Sequence, residues 1–150
     1  RKYIFGDKPS YADFGLWGQI YNSWTDPTPR KFIEKDFSDL LPWIERMLNP
    51  KDEGEYESWN SLSATLMPIL KEEVAEIFLP WTSEITKAMS EEKEELSVII
   101  RDKEFKHSIG GPQKYHVKSF AVLKKKYDSF KDNEALTNIL SEANCLDFLI

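Results

Sequence analysis

Lys8-Pro9-Ser10-Tyr11-Ala12-Asp13-Phe14-Gly15-Leu16 decides where the first helix of this chain begins. Ser10 and Asp13 stand at the spacing of an N-terminal capping box. The Ser10 hydroxyl can accept from the Asp13 amide while the Asp13 carboxylate reaches back to the Ser10 amide. Asp replaces the more usual Glu or Gln, and its charge suits the positive end of the helix dipole. Pro9 and Phe14 bracket the box where a hydrophobic staple would sit. Such a box is a folding signal and names no chemistry.

Working outward, Phe14, Trp17, Ile20, Tyr21 and Trp24 recur at helical spacing. Ala12, Gly15 and Gly18 are small enough to let a neighbouring helix come close. Thr25-Asp26-Pro27-Thr28-Pro29 breaks the pattern, and a short helix is expected from Pro29 to about Asp36 with Thr28 as its cap. Another runs from Ser38 or Asp39 to Leu48, burying Leu40, Trp43, Ile44 and Met47. Apolar residues then keep helical spacing from Leu62 to Met89, with bends expected where Pro68 and Pro80 each delete a backbone hydrogen bond.

Leu96–Ile100 and Phe105–Ile109 are β-favouring runs that can pair as one small β-hairpin near 97–109. After Gly110-Gly111-Pro112 a helix is expected to about Phe130 with His116, Phe120, Leu123, Tyr127 and Phe130 on one face. A last helix from Glu134 to Ala143 leads to an apolar tail that packs back on the body.

Gly6-Asp7-Lys8-Pro9-Ser10-Tyr11-Ala12-Asp13-Phe14 resembles the G-x-x-P-S/T-x-A-D segment that opens the central helix of the C-terminal helical domain in cytosolic glutathione transferases, bacterial-type members included. Leu41-Pro42-Trp43-Ile44-Glu45-Arg46-Met47 is similar to the helix that follows there. Ala64–Leu70 and Lys114–Phe120 resemble a subgroup with a long C-terminal extension. The resemblance implies an all-α fold, an orthogonal helical bundle over residues 1–150 as a single domain, with the hairpin as a possible addition. It also implies a fragment of a longer two-domain protein, because the chain would begin late in that domain.

In such a parent, a thioredoxin-like N-terminal domain upstream would bind glutathione and activate its thiol, and the protein would form a homodimer. The helical domain would supply the wall for a hydrophobic co-substrate. Tyr11, Trp17, Tyr21 and Trp24 are the residues expected to form that wall. The expected parent is a glutathione transferase and this chain alone is expected to be inactive, with no cofactor of its own. The alternatives are a non-catalytic interaction module of the same fold and a helical binder of apolar small molecules.

Composition sets limits beside the resemblance. A chain of 150 residues with 41% hydrophobic and 31% charged side chains can hide roughly 70% of its unfolded surface. A net charge of −6 argues against nucleic acid as the main partner, since phosphate binding needs a concentrated basic face. Lys124-Lys125-Lys126 shares its helix with Asp128 and reads as a solvated face. No apolar run approaches the roughly 20 residues of a membrane span. The single Cys145 excludes an intrachain disulfide, suits a cytoplasmic location and, in its apolar setting, reads as a buried inert thiol. His107 and His116 complete no metal triad. No catalytic and no metal-ligating residue is assigned.

Overall fold

Asp26 sets the first corner of the chain. Its amide donates to the Asn22 carbonyl at 3.3 Å, closing α1 (Tyr11–Thr25), and its carboxylate accepts from the Thr28 amide at 2.8 Å, opening α2 (Pro27–Asp36). One residue therefore caps two helices, and Pro27 takes the first helical position, where no N–H is needed. The start expected at Thr28 and Pro29 is corrected accordingly. Two cap-and-proline pairs overlap in this stretch, and the earlier one is used because α1 ends on it.

A computed structural model describes residues 1–110 and 113–150. They form two compact units, Arg1–Leu62 and Ser63–Ile150. The described residues are mostly helical, with one small two-stranded antiparallel sheet.

In the first unit a 3-10 turn (Ser38–Leu40) leads into α3 (Leu41–Leu48), with Pro42 in the first turn. α3 buries Trp43, Ile44 and Met47 against Tyr3 and Ile33, and Trp17, Ile20 and Trp24 pack around them. Trp17 meets Trp43 edge-on at 5.9 Å, a geometry favoured by the aromatic quadrupole. α1 faces this core with Asp13, Trp17, Ile20 and Trp24. Phe14 and Tyr21, expected in the same stripe, are about half exposed.

The loop before α4 (Trp59–Ile69) is strapped to the N-terminal segment by backbone. The Asp7 amide donates to Glu55 at 2.9 Å and the Glu57 amide to Phe5 at 2.8 Å, with Gly6 bridged to Tyr56 between them. Gly6 has φ +143°, and a Cβ there would lie 2.6 Å from the Glu55 carbonyl oxygen. Only glycine fits that crossing. α4 itself begins in the first unit and runs past its boundary.

In the second unit the helix changes register instead of simply stopping. A π-helical stretch (Leu70–Phe78) separates α4 from α5 (Leu79–Ser90), and the Leu79 amide still bonds five residues back to Val74. The stretch begins just after Pro68 and ends at the turn holding Pro80, the two residues that cannot donate to an α-helical ladder.

β1 (Glu95–Ile100) pairs antiparallel with β2 (Lys103–Ser108). The connecting turn is only Arg101-Asp102, tighter than the break expected over 101–104. Leu96 and Val98 of β1 pack on Ile85 and Ala88 of α5.

α6 (Gln113–Asp128) turns Phe120 fully inward with Val117 and Tyr127 partly covered. His116, Leu123 and Phe130 are exposed, so the inward stripe is rotated by about one residue from the expected one. The expected break at Gly111 and Pro112 lies outside the described residues.

α7 (Glu134–Glu142), capped by Asn133, precedes a 3-10 turn (Leu146–Phe148). Ala143, Cys145 and Leu149 join Ala75, Leu79 and Phe120 in one core cluster, so the tail packs back on the body.

Candidate functional site

The start of α1 is built around a buried charge. Asp13 has no exposed surface, and its two carboxylate oxygens accept four hydrogen bonds. Oδ1 accepts from the Ile4 amide at 2.9 Å and from the Trp43 indole N–H at 3.0 Å. Oδ2 accepts from the Ser10 amide at 2.9 Å and the Ser10 hydroxyl at 2.6 Å. The Asp13 amide in turn donates to Ser10 Oγ at 3.4 Å, which closes the capping box.

Burial pushes the Asp13 carboxyl up. The bonds from the Ser10 hydroxyl, the Trp43 indole and the two backbone amides more than offset that push, and hold it below the ordinary aspartate range. All its acceptor capacity faces protein donors, so Asp13 holds structure and has no free lone pair for a substrate.

Above this cap lies an open cleft of about 430 Å³ lined by Tyr11 and Phe14 of α1 together with Lys8, Pro9, Pro50, Asp52 and Tyr56. Tyr56 donates its hydroxyl to the Pro9 carbonyl at 3.1 Å, and Lys8 pairs with Asp52 at 3.0 Å. The hydrogen bond to Asp52 and its charge raise the Lys8 ammonium above its ordinary value. The cleft thus offers three aromatic rings and one ion pair at its rim.

The four expected wall residues separate. Tyr11 lines this cleft and is 89% exposed. Trp17 and Trp24 belong to the core face of α1, Trp24 lying under the Arg30 guanidinium at 4.2 Å. Tyr21 is tied edge-on to Trp17 at 5.3 Å. None of these three lines the cleft. Phe14 and Tyr56, absent from the expected wall, do line it. Phe14 was legible in principle, one helical turn from Tyr11, whereas Tyr56 arrives through the glycine-pinned strap.

α1 therefore has two opposite faces. One carries Asp13, Trp17, Ile20 and Trp24 into the core. The other carries Tyr11, Phe14, Gly15 and Gly18, and a Cβ added at either glycine would meet no atom within 4 Å beyond its own turns of helix.

Elsewhere, Cys145 is buried, and burial raises its thiol above the usual value, which favours the unreactive protonated form. Gln113 accepts from the Gly110 amide at 3.0 Å, and its amide nitrogen lies within hydrogen-bond distance of His107 Nε2, at 2.9 Å. Among the described residues, no three His, Cys, Asp or Glu side chains are grouped to hold a metal ion. No helix of the described residues is long and apolar enough to cross a membrane. The architecture is that of a mainly helical protein with a small sheet and an aromatic cleft. No protein-family model, curated protein or solved structure matches this chain.

Proposed function

We propose that this chain is the helical domain of a glutathione-transferase-like protein and contributes the wall that holds a hydrophobic co-substrate. The observation that carries the reading is the open face of α1. Its start is fixed by a buried cap, yet Tyr11, Phe14, Gly15 and Gly18 stand uncovered beside an aromatic cleft. A rigid, aromatic, open helix face suits an apolar molecule held against a catalytic group supplied from elsewhere.

In this reading a thioredoxin-like domain binds glutathione and activates its thiol, and the assembly is a cytoplasmic homodimer. The helices of residues 1–150 are expected to be those of that family's orthogonal bundle. This chain then acts by positioning the co-substrate, and is inactive alone. Tyr11 and Phe14 form its contact surface, while Trp17 and Trp24 stiffen the helix from behind.

The experiment is to express the chain together with the thioredoxin-like domain that this reading expects before Arg1 and pass it over immobilised glutathione. Retention is expected, together with conjugation of glutathione to an apolar electrophile. Tyr11→Ala with Phe14→Ala should raise KM for the electrophile and leave glutathione retention unchanged. A protein that is folded but not retained, or a double variant with unaltered KM, would remove the reading.

A further inference from the structure

Residues 63–150 carry a second cavity, on different side chains from the cleft at the start of α1. It measures about 540 Å³ and is lined by Ile77, Trp81, Ile100, Arg101, Lys103 and Phe105. Its volume falls within the roughly 300–1,000 Å³ typical of small-molecule sites. Four of the six lining residues are apolar and the other two are cations.

The cavity exists because the hairpin is covered unevenly. Leu96, Val98 and Ile100 of β1 share a sheet face with His107, Phe105 and Lys103 of β2, by their pairing register. α5 covers that face under β1, where Leu96 and Val98 are each 4% exposed. Under β2 the same face is open, every residue of that strand is exposed, and Phe105 remains 46% exposed. Trp81 reaches toward the gap and meets the His107 ring at 5.6 Å.

Two departures from ordinary backbone geometry frame the gap. Ile77 belongs to the π-helical stretch, a conformation that recurs at functional positions. Arg101 and Asp102 both hold positive φ, 48° and 62°, which disfavours residues with a side chain. Arg101 is kept there by a clamp onto the π-helical stretch: Glu73 at 3.2 Å, Glu76 at 3.2 Å and the Glu72 carbonyl at 2.7 Å. Its charge is therefore spent. Lys103, two residues further on, makes no ion pair among the described residues.

We propose that this cavity binds an amphipathic carboxylate, its chain against Trp81, Ile77 and Phe105 and its head group at Lys103. An apolar occupant completes the half-covered sheet face. A single negative head group meets the one lining cation that lacks a counter-charge.

The test uses the whole chain and three ten-carbon probes that differ only in head group: decanoate, decan-1-ol and decyltrimethylammonium, titrated calorimetrically at low salt. Decanoate is expected to bind saturably and about fivefold more tightly than either other probe, the factor an exposed charge pair supplies at its upper end. Lys103→Gln should erase that preference and Lys103→Arg should keep it. The Trp81 indole resonance, identified by its loss in Trp81→Phe, should move as decanoate is added. Lys103 is a surface side chain, and an unchanged helical circular-dichroism spectrum checks that its variants fold. Absence of saturable decanoate binding, equal affinity for the three probes, full affinity in Lys103→Gln, or saturation without movement of the Trp81 resonance would each overturn the proposal.

Discussion

The Trp43 indole donates to Asp13 Oδ1 at 3.0 Å, so a residue of α3 completes the cap of α1. A motif that is local in sequence is thereby made dependent on tertiary folding. The cap cannot reach its full strength until α3 has docked.

Removing the carboxylate strands several buried donors at once. Asp13→Ala leaves the Ile4 and Ser10 amides and the Trp43 indole without their acceptor, and is expected to destabilise the fold by about 3–5 kcal/mol. Trp43→Phe removes one donor and should cost about 1–3 kcal/mol. Urea denaturation of both single variants and the double variant should give a coupling energy of about 1 kcal/mol or more. Additive effects would rule out the shared bond as a source of stability.

The same network predicts an acid-sensitive contribution. Asp13 is held below its unfolded-state value, which is about 3.9. Near that pH the unfolded chain binds the proton more readily, so the contribution is complete above about pH 4 and is lost as pH falls through the lower native value. The stability difference between wild type and Asp13→Asn should be constant from neutral pH down to about pH 4.5 and shrink below about pH 4. Urea midpoints across that range measure it. A gap that stays constant to pH 2 contradicts the lowered value.

Gly6→Ala should be among the most damaging small substitutions in the first unit. The added carbon would press on the Glu55 carbonyl at 2.6 Å and on the Glu57 amide at 2.8 Å, with φ at +143°. A loss of at least about 2 kcal/mol is expected. Thermal melting reads it, and an unchanged midpoint would mean that the strap contributes little.

How much of this was legible beforehand depends on sequence distance. The Ser10–Asp13 pair spans three residues, and helical geometry alone brings such a pair together. Ile4 and Trp43 reach the same carboxylate from 9 and 30 residues away, and no local periodicity announces them. In α6 the expected and observed stripes share Phe120 and Tyr127. They differ at His116, Leu123 and Phe130, which are exposed, and at Val117, which turns inward because it can pack against the cluster of Ile85, Ala88, Leu96 and Val98. In α1, Phe14 and Tyr21 looked like core because aromatic residues stand on both faces. The cleft needed Tyr56 from the far side of the strap.

The hairpin turn offers a gain in stability. Asp102 has φ 62° in a two-residue turn of positive φ, the setting in which glycine is preferred. Asp102→Gly is expected to stabilise the second unit by about 0.5–1 kcal/mol, the relief of strain being partly offset by greater freedom of the unfolded chain. A raised melting temperature checks this, and a lowered one shows that the Asp102 side chain holds the turn. Arg101→Gly is the contrasting change, because it relieves one strained residue and cuts the clamp.

Cys145 should behave as a core side chain. At 1% exposure and with its thiol raised by burial, it should react with an aromatic disulfide reagent only in denaturant. Rapid stoichiometric reaction of the native chain would contradict the packing of the tail.

The hairpin also bears on how the chain behaves at high concentration. Among the described residues neither β1 nor β2 has a further strand beside it, so each has one edge with no strand paired to it. The face turned away from α5 carries Glu95, Ser97, Glu104 and Lys106 around the exposed Ile99, with Ser97 bonded to Glu104 at 2.7 Å and Lys106 3.5 Å from it. A third strand laid along either edge would bring these charges against its own side chains and strip them of water. The charged groups of the outer face thus act as a guard against sheet growth, while Leu96 and Val98 on the inner face stay buried.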